Sequence, residues 1–172
     1  MKKALPLFAA LVLFFAAGCE KQSINKNTPP PPPSSFTATL AVDFCGTEMK
    51  AEITQKNFDE YEIQMISPEI MAPLKISFLN GECTAFYDGL EFRTEANRFP
   101  QAEFGSLLTQ ALTYVGQNID IQKTFDGNIW TYKGIGTRGE FSLEQNPKNG
   151  EWISFTVQSA DLKVVFTNTN RK

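Results

Sequence analysis

From Phe36 to the end of the chain, apolar side chains recur at every second position in short runs, and the runs are broken by Asn-Gly and Asp-Gly pairs. Successive side chains of a strand point to opposite faces, so this period describes half-buried β-strands and leaves little room for another fold class. Phe36, Ala38, Leu40, Val42 and Phe44 share one face, with Thr37, Thr39, Asp43 and Cys45 on the other. Met49, Ala51 and Ile53 then oppose Glu48, Lys50 and Glu52, and Tyr61, Ile63 and Met65 oppose Glu60, Glu62 and Gln64. After Ser67-Pro68 a short irregular or helical piece, Glu69 to Pro73, leads into Leu74, Ile76 and Phe78. Phe141 and Leu143, then Ile153, Phe155 and Val157, then Leu162, Val164 and Phe166 continue the pattern.

Asn80-Gly81, Asp88-Gly89, Asp126-Gly127 and Asn149-Gly150 lie between such runs. Asn or Asp followed by Gly accepts the positive φ values that tight hairpins require, so most strands pair with their sequence neighbours in an antiparallel meander. One segment departs from the period. In Gln101 to Val115, Phe104, Leu107, Leu108, Ala111, Leu112 and Val115 form a single helical stripe, with Pro100 suited to the first turn and Gly116 to the end. An apolar sheet face and an apolar helix stripe are both buried when they pack together, and a twisted sheet this wide curls. The expected fold is α+β, mainly antiparallel β: a curved sheet or open barrel of about ten strands wrapped around one amphipathic helix.

The first 18 residues are of a different kind. Lys2 and Lys3 precede an apolar run, Ala4 to Ala17, that is too short to span a bilayer as a helix and reads as an export signal. Ala16-Ala17-Gly18-Cys19 resembles the lipobox of bacterial lipoproteins, with Ala in place of the usual Leu at its first position. The resemblance implies that Cys19 becomes an acylated N-terminus, that the chain is held on the extracytoplasmic face of a membrane, and that this is the outer membrane in a Gram-negative cell. Residues 19–35 read as the lipidated cysteine and a tether, in which Pro29 to Pro33 make a stiff spacer. Residues 36–172 fit one domain with a single core.

The long opening hairpin Phe36 to Ile53, the strand ending at Ser67-Pro68, the Asp88-Gly89 turn, the mid-chain helix and the closing strands together resemble the LolA/LolB-like fold of lipoprotein carriers and receptors. That fold is shared with the N-terminal domain of a periplasmic stress sensor. The resemblance implies a hydrophobic cavity between a concave sheet and its covering helices, suited to an acyl chain, and it carries no functional residue of the family onto this chain. The residues expected to line such a cavity are Phe44, Met49, Met65, Met71, Phe78, Phe92, Leu108 and Leu112. Methionine and phenylalanine suit adaptable apolar sites, and they suit an ordinary core equally well.

Other chemistries are poorly supported. The chain has no His, which removes the usual triads and the commonest neutral-pH base. No catalytic residues, metal ligands or cofactor are expected, and Asp59, Glu60 and Glu62 read as a solvated acidic surface. Gly134-Ile135-Gly136-Thr137-Arg138-Gly139 matches a dinucleotide fingerprint in letters, but Glu140 to Glu144 alternate as a strand where that motif needs a helix. The chain holds 16 basic and 19 acidic residues, and loss of the signal with Lys2 and Lys3 leaves about −5, which disfavours nucleic acid as a partner. Cys45 and Cys83 are expected as free thiols, because a meander places them on strands far apart. The function expected from this pattern is a non-enzymatic, membrane-anchored lipoprotein binding a lipid or lipidated peptide. The alternative is an envelope protein-interaction or sensor module with a filled core.

Overall fold

The computed structural model describes residues 28–80, 82–95 and 103–171. The signal, Cys19, Gly81 and Pro100 lie outside the described residues. Among the described residues eleven strands form one antiparallel sheet. The first wing is β1 (Phe36–Phe44), β2 (Thr47–Asn57), β3 (Glu60–Ser67), β4 (Lys75–Leu79), β5 (Glu82–Tyr87) and β6 (Leu90–Glu95). Helix α1 (Glu103–Gln117) follows. The second wing is β7 (Gln122–Phe125), β8 (Trp130–Gly136), β9 (Gly139–Gln145), β10 (Trp152–Val157) and β11 (Leu162–Arg171).

The spatial order is β6-β5-β4-β3-β2-β1-β11-β10-β9-β8-β7. Each wing is the expected meander, and the two are joined by β1 against β11, where Leu40 faces Phe166 and Val42 faces Val164. The open edges are therefore β6 and β7, the strands that flank the helix in sequence. The tally exceeds the expected ten because β7 is polar and almost wholly exposed and carries no apolar alternation to announce it.

The turns follow their residues. Asp88 and Gly89 have φ of 48° and 80°, and Asn80 has φ of 51°. Cys45-Gly46, with φ of 51° and 74°, is a further tight turn, so Cys45 sits in the β1–β2 connection and not on the strand. Glu69–Met71 forms a one-turn 3₁₀ helix between β3 and β4, as the irregular piece after Ser67-Pro68 required.

Helix α1 buries the stripe read from its sequence, Phe104, Leu107, Leu108, Ala111, Leu112 and Val115. Its end differs from expectation. The left-handed cap is Asn118 (φ 56°), and the backbone closes with Asn118 N–H donating to Val115 O at 3.2 Å and Ile119 N–H to Tyr114 O at 2.8 Å. This is a Schellman motif built on Asn. Gly116 lies inside the helix, where a Cβ would collide with the ring of Phe58. Gly105 serves the same purpose about three turns earlier on the same face: a Cβ there would stand 2.8 Å from Ile63 Cδ1 and 3.0 Å from Phe78 Cζ. At the other wing Thr137 N–H donates to Gln110 Oε1 at 3.0 Å, and Arg138 Nε donates to Glu103 Oε1 at 2.6 Å. A helix held by β3 and β4 on one side and by the β8–β9 turn on the other requires a sheet curved around it. Leu40, Ile53, Ile63, Ile76, Leu108, Leu143, Phe155 and Val164 are fully buried in the resulting core.

The proline run, expected as a spacer free of the domain, lies on it. Pro33 is buried, and the buried Gln55 amide donates to Pro33 O at 3.1 Å and Ser34 O at 3.2 Å. A glutamine on the inward face of β2 had no role in the sequence pattern. It is inward because it keeps the alternation of Met49, Ala51 and Ile53, and its amide nitrogen is satisfied by the two carbonyls of the incoming chain, while its Oε1 is buried without a partner among the described residues.

Candidate ligand-binding groove

The eight residues expected around a cavity divide into three groups. Met49, Met65, Phe78, Leu108 and Leu112 belong to the core, each at most 8% exposed. Phe44 is half-buried and packs against that core. Met71 and Phe92 line an open apolar groove of about 470 Å³ together with Ile70, Leu74, Ala85, Tyr87 and Leu90.

The groove arises from strand register. Cys83 and Ala85 on β5 face inward and are buried, and Tyr87 continues the same face. Across the Asp88-Gly89 turn Tyr87 pairs with Leu90 and Ala85 with Phe92, which places Leu90 and Phe92 on that face too. The concave apolar surface therefore runs past the core to the β6 edge. Leu90 is 59% exposed, Phe92 51% and Ile70 76%, which is unusual for three large apolar side chains on one surface. One polar contact ties the walls together: Tyr87 OH donates to Ile70 O at 3.0 Å, fixing the hairpin tip to the 3₁₀ turn. A concave apolar surface of this volume with few polar groups has the character of a site for an apolar ligand. Of its lining, Ile70, Leu74, Ala85, Tyr87 and Leu90 were not foreseen. The inward alternation through Tyr87, Leu90 and Phe92 was visible in sequence, but which part of the face the helix leaves bare was not.

The remaining candidate features are structural. Gly134 and Gly136 lie on β8 and Gly139 opens β9, with Gly136 directly opposite Gly139, so the six residues form a strand–turn–strand. A Cβ on Gly134 would stand 2.7 Å from Phe141 Cζ, which explains a glycine there. Glu60 and Glu62 lie on the outer face, where Lys56 Nζ bridges them at 2.9 and 3.0 Å and Lys75 Nζ reaches Glu62 at 3.0 Å. Hydrogen bonds from Lys56 and then Lys75 hold the Glu62 carboxyl below its ordinary range, while the bonds to Glu60 and Glu62 raise Lys56. Cys45 is exposed and Cys83 buried, both as free thiols, and burial pushes the Cys83 thiol up. Among the described residues no group of three or more Cys, Asp or Glu side chains is placed to hold a metal ion. In the second wing Tyr132 OH donates to Gln145 Oε1 at 2.6 Å and Gln145 Nε2 donates to Gly150 O at 2.9 Å, a buried network that satisfies its own polar atoms. A further cleft of about 460 Å³ on the outer face is charged, with Asp43, Glu48, Lys50 and Lys163 on its walls.

No protein-family model matches the chain, and no curated protein matches its sequence. Solved structures do match in fold. An uncharacterized conserved protein from Thermus thermophilus aligns with a TM-score of 0.52 at 8% identity, over 81% of this chain and 80% of that one. The LolA superfamily protein NE2245 from Nitrosomonas europaea aligns with a TM-score of 0.46 at 11% identity, over 82% and 87%. PNGF-II aligns with a TM-score of 0.40 at 8% identity, over 80% of this chain and 28% of that one. At these identities the likeness is one of fold.

Proposed function

We propose that this chain is a non-enzymatic lipoprotein with a LolA-like fold, anchored through Cys19, that binds the acyl chain of a lipid or lipidated peptide in the groove between the 3₁₀ turn and the β5–β6 hairpin. The observation that carries this reading is the continuation of the concave apolar face past the core, leaving Ile70, Leu90 and Phe92 open to water. Burial of each methylene contributes about 0.8 kcal/mol, so a chain that places about six methylenes in the groove gains about 5 kcal/mol. The test is native mass spectrometry of the chain from Glu20 onward, purified from cells and then titrated with a single-chain fatty acid. A lipid carried at defined stoichiometry, or saturable one-to-one binding, is the expected result. An apo mass that no fatty acid or acylated peptide shifts sinks the reading.

The packed state of Met65, Phe78, Leu108 and Leu112 favours a second reading, an envelope protein-interaction module. There the charged outer cleft docks another protein, and crosslinking at Lys50 or Lys163 recovers it while the groove stays empty.

A further inference from the structure

The stretch from Cys19 to Phe36, 17 residue steps, would reach about 56 Å if fully extended, at about 3.3 Å per residue. That reach is not all available. Pro33 is buried, both carbonyls of Pro33 and Ser34 are held by the Gln55 amide, and Gln55 itself is 2% exposed. Further along the run Pro30 lies against Gly150, where an added Cβ would stand 3.1 Å from Pro30 Cβ and 2.7 Å from Arg171 Nη2. Gly150 thus leaves room for the proline ring. The run is seated on β2 and on the β9–β10 loop beside the end of β11.

These contacts lie at one end of the strands. Gln55 pairs with Phe36 and Tyr61, and Phe36 pairs with Arg171. The groove lies toward the other end: Leu74 O accepts from Met65 N, four residues beyond Tyr61, or about 13 Å at about 3.3 Å per residue. It is also displaced sideways, because β5 is five strands from β11, roughly 24 Å along the sheet at about 4.8 Å per strand.

We infer that the proline run is a docking strap: it fastens the domain to its anchor by the strand end that carries Gln55 and Gly150, and so holds the apolar groove facing away from the bilayer. This rests on the reading of Cys19 as the anchor and of the groove as the ligand site. With the strap seated, only nine residue steps separate Cys19 from Thr28, at most about 30 Å of chain. Releasing it nearly doubles the leash and frees the domain to turn.

The test uses the full lipidated chain in phosphatidylglycerol–phosphatidylethanolamine vesicles containing a lipid with a nitroxide-labelled headgroup. In a Cys45→Ser background, a fluorophore is placed on Glu91→Cys, beside the groove, or on Lys148→Cys, beside the strap; buried Cys83 stays unlabelled. The expected result is strong quenching of the label at 148 and none at 91. Replacing Pro29 to Pro33 by a Gly-Ser run of equal length should bring the two to parity, and Gln55→Ala should move them in the same direction. Equal quenching with the native strap, or an undiminished contrast after proline replacement, overturns the inference. Fatty-acid titration of the same samples reads the groove separately, and flotation of the native chain but not of Cys19→Ser reads the anchor. A groove that takes up no fatty acid removes the ligand reading without changing the contrast, whereas a native chain that does not float, and is then quenched at neither site, removes the anchor reading.

Discussion

Removing the apolar rim of the groove should abolish most ligand affinity while leaving the domain folded, and the structure gives the size of both effects. Full burial of a large aliphatic or aromatic side chain contributes about 1.5–3 kcal/mol. Ile70, Leu90 and Phe92 are 76%, 59% and 51% exposed, so between half and three quarters of that contribution remains for a ligand to realise. Taking the lower figure, the three together offer about 3 kcal/mol, and each 1.4 kcal/mol is tenfold in affinity. The triple variant Ile70→Ser, Leu90→Ser, Phe92→Ser should therefore weaken fatty-acid binding by about a hundredfold, read by isothermal titration. Its stability should fall by only about 1 kcal/mol per site, the part of each side chain already buried, read by guanidinium denaturation. Unchanged affinity in a folded triple variant would refute the assignment of the groove, whatever the domain binds elsewhere.

Truncation inside the core should do the reverse. Leu112→Ala, at a site 2% exposed, should cost about 2–5 kcal/mol in denaturant while fatty-acid affinity in the surviving folded fraction stays put; a loss of affinity would move the ligand beneath the helix. Gly105→Ala gains up to about 1 kcal/mol of helix propensity but presses a methyl into Ile63 and Phe78, where overpacking costs about 1–3 kcal/mol, so the melting temperature should fall. Adding Ile63→Val, which deletes the opposing Cδ1, should recover part of it, and a rise on Gly105→Ala alone contradicts the packing. Burial holds the Tyr61 and Tyr132 phenols protonated above their ordinary range of about 10. The unfolded chain ionises first, so this contribution is complete below about pH 10 and declines as pH rises beyond it. Tyr132→Phe should flatten that decline in alkaline denaturation, and a decline just as steep in the variant would show that burial does not hold the Tyr132 phenol protonated.

The strands and their inward faces were legible because they depend on neighbours in sequence. Phe36 to Phe44 is the strand its alternation described, and the stripe from Phe104 to Val115 is the buried face of α1. Errors lay where a residue's role is set by what packs on it. Gly116 looked like a helix terminator and instead makes room for Phe58, while Asn118 takes the left-handed position. Met65 and Leu112, candidate cavity residues by chemistry, are ordinary core; Met71 and Phe92, of the same chemistry, line the groove.

Local periodicity and turn residues thus determined the fold class, the antiparallel meander, the mid-chain amphipathic helix and the strand that follows the glycine-rich motif. They act within a few residues of one another, which is the range over which backbone geometry reads sequence. The closure of β1 on β11, the docking of the proline run on Gln55, and the uncovered patch at the β6 edge were decided only in three dimensions. The first two depend on contacts between residues distant in the chain and the third on how far one short helix reaches across a curved sheet, and an apolar side chain carries the same signal whether it ends beneath that helix or just beyond it.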